Sequence, residues 1–446
     1  MEILVLNGSP KGEYSITLQT VKYLQKKHPE HTFRVLHVGQ KIKQIEKDFT
    51  EAASALAQAE VLLFSYPVYT FIAPCQLHRF IELMKEHKMD VRGKVATQIT
   101  TSKHFYDITA HRYIQDNVQE MGMHFIRGLS ADMDDLTTKK GQQEAESFWK
   151  HFCWCVAQKY YEPYFPMGEA TPPVPVTVPE ENFEGKPGDV VIIADLLPGD
   201  TQLADMISRF RSNLPYATRV VNIREYPFRG GCLGCFRCAV SGKCVYKDGF
   251  DDFLRNKIQT ADAMIYAYTI QDHSQGARFK MYTDRQFCNG HRTVTIGMPV
   301  GYLISGNLSK EENLRTIIEG RAQVGSNILA GVATDEVDTD AAIDRLCASL
   351  DYALKNKNTG PQNFLGIGGM KIFRDLIWQM RGMMRADHKF FKSHGQYDFP
   401  QKKWPQSLAM YLVGAMIANP KIQAKMGSKM NEGMLMPYKK VLDEME

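Results

Sequence analysis

The chain reads as α/β in class, with two doubly wound parallel sheets in tandem and a helical C-terminal extension. Three observations lead there. Short apolar runs of strand length alternate with segments of helical period. Each run ends in a loop rich in turn or hydroxyl residues, and after a proline-rich stretch around residue 175 the alternation begins again. A length of 446 residues exceeds one ordinary core and suits two domains plus an extension.

An apolar content of 44% with 23% charged residues describes a folded, water-soluble chain. Net charge is only +4 and both signs are interspersed, without an arginine-rich or aromatic-interleaved patch, so nucleic acid is excluded as a partner and small-molecule chemistry is expected. The run Met1–Leu6 leads into a loop with no basic leader, so no export is expected. Nine cysteines, odd in number and clustered, suit a reducing cytoplasmic setting. The longest apolar run, Leu408–Ala418, is too short for a bilayer, so no transmembrane segment is expected.

The first domain is placed at residues 1–162. Ile3–Leu6 has the pattern of a buried parallel strand, Asn7-Gly8-Ser9-Pro10-Lys11-Gly12 breaks it, and Thr17–Lys27 follows as a helix. Such a junction presents backbone amides and the hydroxyls of Ser9, Ser15 and Thr17 to a phosphate. There is no GxGxxG, and hydroxyls with one lysine suit a phosphomonoester, hence a mononucleotide such as FMN; an ordinary helix cap is the plainer alternative. Val35–Val38 is a second strand, Asp48–Ala59 a helix and Val61–Ser65 a third strand, which opens into a loop containing Pro67, Val68, Tyr69, Thr70 and Phe71. Ligands of open α/β sheets sit at such strand ends, where Tyr69 and Phe71 can stack on a flat ring; surface packing is the alternative. Val95–Thr101 ends likewise in Thr100, Thr101 and Ser102, before a helix over Thr109–Glu120.

Residues 163–188 form a proline-rich linker, and residues 189–356 a second domain. Its strands are read at Val190–Ala194, Val220–Ile223 and Ala263–Thr269, with helices at Thr201–Arg211 and Asp251–Gln259. Its first loop carries Asp195 and Asp200, which repel a phosphate dianion, so FMN is not expected there. After its second strand stand Cys232, Cys235, Cys238 and Cys244, spaced CxxCxxCxxxxxC, with Gly234 and Gly242 allowing tight turns. This compact run favours an iron–sulfur cluster over zinc, which usually takes two separated ligand pairs; reduced thiols or a redox-active pair stay open as the alternative.

Residues 357–446 are a basic, methionine-rich extension with helices at Met370–Met384 and Ser407–Ala418. Packing over the domains is the plain reading, contact with a membrane face or an acidic redox partner the sharper one. Gly366-Ile367-Gly368-Gly369 lacks a preceding parallel strand and is discounted as a dinucleotide loop.

Asn7–Gly12, Pro67-Val68-Tyr69 and Thr100-Thr101-Ser102 resemble the flavin loops of the flavodoxin-like NADPH-dependent FMN reductase family. The resemblance implies two tandem flavodoxin-like sheets, non-covalent FMN reduced by a nicotinamide, and a phosphate held by Ser9, Lys11, Ser15 and Thr17. Members often carry Ser/Gly-Asn-Thr where this chain has Ser15-Ile16-Thr17, and Tyr14 is the candidate replacement for the missing donor. The cysteine run resembles that of iron–sulfur flavoproteins, homo-oligomers that pass electrons between subunits. It implies a 4Fe-4S cluster on the four cysteines; with the internal repeat, the chain reads as a covalent pseudo-dimer in which the flavin of the first half faces the cluster of the second. The expected activity is FMN-dependent electron transfer between NAD(P)H, or a reduced carrier, and a small-molecule acceptor or redox protein, with no side chain assigned a catalytic role. A non-catalytic electron carrier and a binding module with a structural cysteine loop are the alternatives, and assembly into a homo-oligomer is a further expectation.

Overall fold

Strand β1 (Glu2–Asn7) is buried on both faces, as its unbroken apolar run requires: Ile3 and Val5 enter one core layer, Leu4 and Leu6 the other. In the computed structural model, which describes residues 1–446 except 167, 181–182, 184, 358, 422–434, 437, 440 and 446, β1 lies inside a parallel sheet. With β2 (Thr32–Leu36), β3 (Val61–Pro67), β4 (Val95–Ser102) and β5 (His124–Phe125) the strand order is 2-1-3-4-5, and β6 (Leu129–Asp132) also pairs with β4. Helices α1 (Ile16–Lys27) and α6 (Lys139–Gln158) cover one face through Leu18, Val21, Trp149 and Phe152. On the other face lie α2 (Val38–Ile45), α3 (Thr50–Gln58), α4 (Cys75–Glu86) and α5 (Asp107–Glu120).

The second sheet repeats this order. β7 (Val190–Ala194), β8 (Thr218–Asn222), β9 (Ala263–Thr269), β10 (Pro299–Ser305) and β11 (Ile328–Thr334) run 8-7-9-10-11, all parallel. This is the doubly wound flavodoxin order in both halves. Helices α7 (Thr201–Asn213) and α12 (Thr339–Asn356) close one face; the cysteine loop, with the short α8 (Arg237–Ser241), leads to α9 (Phe250–Phe253) and a π-helical turn over Leu254–Ile258. Helices α10 (Gly276–Arg285) and α11 (Glu312–Gly325) face the first half.

Two departures from the sequence reading are instructive. The second strand ends at Leu36 rather than Val38, and an unexpected helix, α2, follows; its apolar positions Val38, Ile42 and Ile45 fall on one face. A Cβ on Gly39 of that helix would lie 2.3 Å from the Gly8 carbonyl, so α2 packs directly on the first ligand loop. The helix read over Asp251–Gln259 is instead α9 and its π turn.

The halves join through corresponding helices: α10 runs along α4, each following a third strand, and α11 meets α5, each following a fourth. Several polar groups are paired across this junction. His78 Nδ1 lies 2.5 Å from Asp272 Oδ2, which also accepts from the Tyr113 hydroxyl at 2.8 Å. His273 sits between Glu311 (3.0 Å) and Glu120 (3.3 Å). Burial alone lowers the His273 pKa, but the two carboxylates raise it to about 9 from an ordinary 6.5. Because the folded state holds the proton more tightly, this stabilisation is present below pH 6.5 and is lost as pH rises through 9. Urea titrations across that range are expected to show unfolding free energy falling by about 3 kcal/mol. His273→Gln is expected to flatten the slope, and an equally steep slope in the variant contradicts the assignment.

The linker, residues 163–188, contains no helix or strand among the described residues. It is strapped to the second half: Val174 N donates to the Asp335 carbonyl (2.8 Å), and the Val174 carbonyl accepts from Gln202 and Thr339 (2.8 Å each). Helix α13 (Phe364–Gln379) packs on α11; a Cβ on Gly369 would meet Val324 at 2.7 Å, so the glycine run serves helix contact. Phe391–Glu446 is a separate compact unit, and among its described residues α14 (Trp404–Ile417) exposes Trp404 and Tyr411. Among the described residues no helix is long and apolar enough to cross a membrane.

Candidate functional site

The carboxyl ends of β1, β3 and β4 open onto one pocket. From the first loop come Ser9, Lys11, Ser15 and Thr17; from the second Pro67, Val68, Tyr69 and Thr70; from the third Thr101 and Ser102. Asn7 builds the first loop: its side-chain carbonyl accepts from Ser9 N (3.2 Å) and its amide donates to the Gly12 carbonyl (3.0 Å). Ser15 caps α1, accepting from Leu18 N at 3.4 Å, and the Thr17 and Thr101 hydroxyls lie 2.6 Å apart. Three buried hydroxyls, one lysine and the free amides of a twelve-residue helix form a cradle whose chemistry fits a phosphate.

Three expected residues lie elsewhere. Tyr14 is 87% exposed and does not line the pocket. Thr100 points to the opposite face of the sheet, 2.8 Å from His111 Nε2. Phe71 lines a second cavity, packed against Phe105 and Tyr106. Thr70 and Phe71 have φ of 39° and 77°, left-handed values unusual for such residues.

What holds that conformation comes from the second half. Lys280, fully buried on α10, donates to the Tyr69 carbonyl (2.9 Å) and Thr70 Oγ1 (2.8 Å). Asp284, one turn on, pairs with Lys280, accepts from the Thr70 hydroxyl, and accepts from Cys75 N at 2.9 Å.

Cys232, Cys235, Cys238 and Cys244 line the same pocket. Gly234 (φ 59°) approaches so closely that a Cβ there would lie 1.9 Å from the Tyr69 hydroxyl oxygen, and only glycine fits. Arg285 donates to the Gly230 carbonyl (2.9 Å) and grips Asp248 through both terminal nitrogens, while Arg255 donates to the Gly242 carbonyl (2.6 Å). Burial pushes the Cys232 thiol well up and Cys238 to about 11.

Among the described residues no three Cys, His, Asp or Glu side chains converge as a single metal ion requires. A four-iron cluster spreads its thiolates over separate irons, and the donor set matches that chemistry. Of the cations lining the pocket, Lys103 pairs with Asp132, Arg285 with Asp248 and His291 with Asp387, whereas Lys11 stands over the Phe236 ring beside the first loop. Sequence reasoning missed Cys288, a fifth lining thiol raised by burial to about 12, and the pair Lys280–Asp284. Neither belongs to a local pattern; a lysine and an aspartate four apart on a helix are usually a solvated pair.

Residues 1–134 match the sequence model of the family described as NADPH-dependent FMN reductase. An iron-sulfur flavoprotein of Archaeoglobus fulgidus is 25% identical over 175 residues, covering 37% of this chain and 78% of that protein. Among solved structures, general stress protein 14 of Treponema denticola in complex with FMN is 12% identical, with 35% of this chain and 99% of that one covered and a TM-score of 0.29. NAD(P)H:quinone oxidoreductase of Methanothermobacter marburgensis is 15% identical, with 40% and 99% covered and a TM-score of 0.30.

Proposed function

We propose that this chain, whose residues 1–134 carry the sequence of a domain of the NADPH-dependent FMN reductase family, is a flavin oxidoreductase holding FMN on its first half and an iron–sulfur cluster on its second. The observation that carries the reading is the single pocket walled by flavin-type loops and by all four cysteines, with Gly234 against Tyr69. Ser9, Ser15, Thr17 and the first amides of α1 bind the phosphate, with Lys11 supplying positive charge. Pro67–Thr70 and Thr101–Ser102 orient the ring and exclude water, and Cys232, Cys235, Cys238 and Cys244 hold the cluster. FMN supplies a means of taking hydride from a nicotinamide and of releasing electrons one at a time.

The second half's corresponding loop suits no phosphate. Asp195 pairs with Arg224 at 2.6 Å, and Asp200 caps α7 through Leu203 N (3.2 Å) and accepts from Thr269 (2.7 Å). One flavin per chain follows. The acceptor is a small molecule or a redox protein, and the donor NAD(P)H or a reduced carrier.

An ultraviolet–visible spectrum of anaerobically purified protein, with iron and sulfide assayed on the same sample, tests the reading. Flavin bands with about four irons per chain are expected, together with steady-state NAD(P)H oxidation. Flavin without iron rejects the cluster, and colourless protein rejects the redox reading entirely. Both cofactors without NAD(P)H oxidation indicate an electron carrier.

A further inference from the structure

A second cavity shares a wall with the first: Thr70, Phe105, Phe287, Gly290, His291 and Phe373 line both. Tyr266 of β9 and Tyr302 of β10, with ring centres 5.2 Å apart, and Phe71 are among its lining residues. The titratable side chains in its lining are Tyr266, Tyr302, His291, Arg292 and Arg321, and no carboxylate is among them.

Two of those basic groups are already compensated. His291 Nδ1 lies 2.9 Å and Arg292 Nε 3.4 Å from the carboxylate of the fully buried Asp387. Arg321, on α11, differs. It donates to Gln286 Oε1 at 2.9 Å, and its guanidinium carbon stands 5.9 Å and 6.0 Å from the ring centres of Phe71 and Tyr266. Tyr266 and Tyr302 line the cavity beside it, and among the described residues no carboxylate forms a salt bridge with it. A guanidinium held inside a protein without a counter-ion is costly, and its planar fork matches a carboxylate.

We propose that this cavity binds a planar aromatic ligand bearing one carboxylate, with the carboxylate on Arg321 and the ring among Phe71, Tyr266 and Tyr302. The aromatic walls select a flat apolar body, and the single uncompensated charge selects a monoanion. As the substrate class of the oxidoreductase this rests on the flavin reading above, since the shared wall puts the ligand next to that pocket. As a binding site it stands without the flavin.

Isothermal titration of the full-length protein with benzoate and with its neutral isostere benzamide tests it. Benzoate is expected to bind the wild type about 10- to 100-fold more tightly than benzamide. Arg321→Met is expected to abolish that preference while leaving benzamide unchanged, and Arg321→Lys to restore part of it. Equal affinities for the two ligands in the wild type overturn the proposal even if Arg321→Met does not fold. Unchanged benzoate binding in a folded Arg321→Met does the same. FMN content measured on each preparation separates the two readings: benzoate selectivity in flavin-free protein rejects the flavin alone, and flavin without selectivity rejects this site alone.

Discussion

Lys280→Met is expected to destabilise the protein by about 3–5 kcal/mol, the usual cost of stranding one member of a buried ion pair. Both Lys280 and Asp284 are fully buried at the junction of the halves, so the remaining carboxylate finds no water to replace its partner. The loss has a second part. The Tyr69 carbonyl and the Thr70 hydroxyl lose the ammonium that holds Thr70 and Phe71 at positive φ, where such residues are strained by roughly 1–3 kcal/mol each. The flavin-side loop then relaxes, and FMN retention falls with it. Chemical denaturation of Lys280→Met, Asp284→Leu and the double variant checks this. The double variant should lose clearly less than the sum of the singles, because no lone charge remains; simple additivity would show that the pair is not coupled.

Cys238→Ser is expected to bring iron and sulfide in anaerobically purified protein from about four per chain to near zero, with flavin retained. The two outcomes separate because the residues assigned to FMN belong to the first half, whereas Cys238 lies on α8 in the second. Cys288→Ser is the matched control: its thiol lines the same pocket but lies outside the CxxCxxCxxxxxC run, and its loss should leave iron in place. Iron retained in Cys238→Ser, or lost in Cys288→Ser, would reassign the ligands.

Both sheets were legible because a parallel strand buried on two faces must be a continuous apolar run, and Ile3–Leu6, Val61–Ser65 and Val190–Ala194 are such runs. That Ser9, Ser15, Thr17 and Thr101 line one pocket was legible for a related reason, since the loops at the strands' carboxyl ends begin where those runs stop. Thr100 was misplaced by ignoring the two-residue alternation of β4, which sends it toward α5 while Thr101 faces Thr17. Phe71 was lost to a left-handed turn that no local pattern announces. Arg321, Cys288 and the Lys280–Asp284 clamp were out of reach because their roles depend on which helix of one half lies against which loop of the other.

That the clamp and the loop it holds belong to one polypeptide has a consequence for dilution. If the halves were separate molecules, each flavin-side loop would lose its lysine whenever the pair came apart, and the fraction intact would follow abundance. The strapped linker keeps the partner at an effective concentration of order millimolar. The hold on the loop at Tyr69 and Thr70 is thereby a property of each molecule alone, independent of how many copies a cell makes.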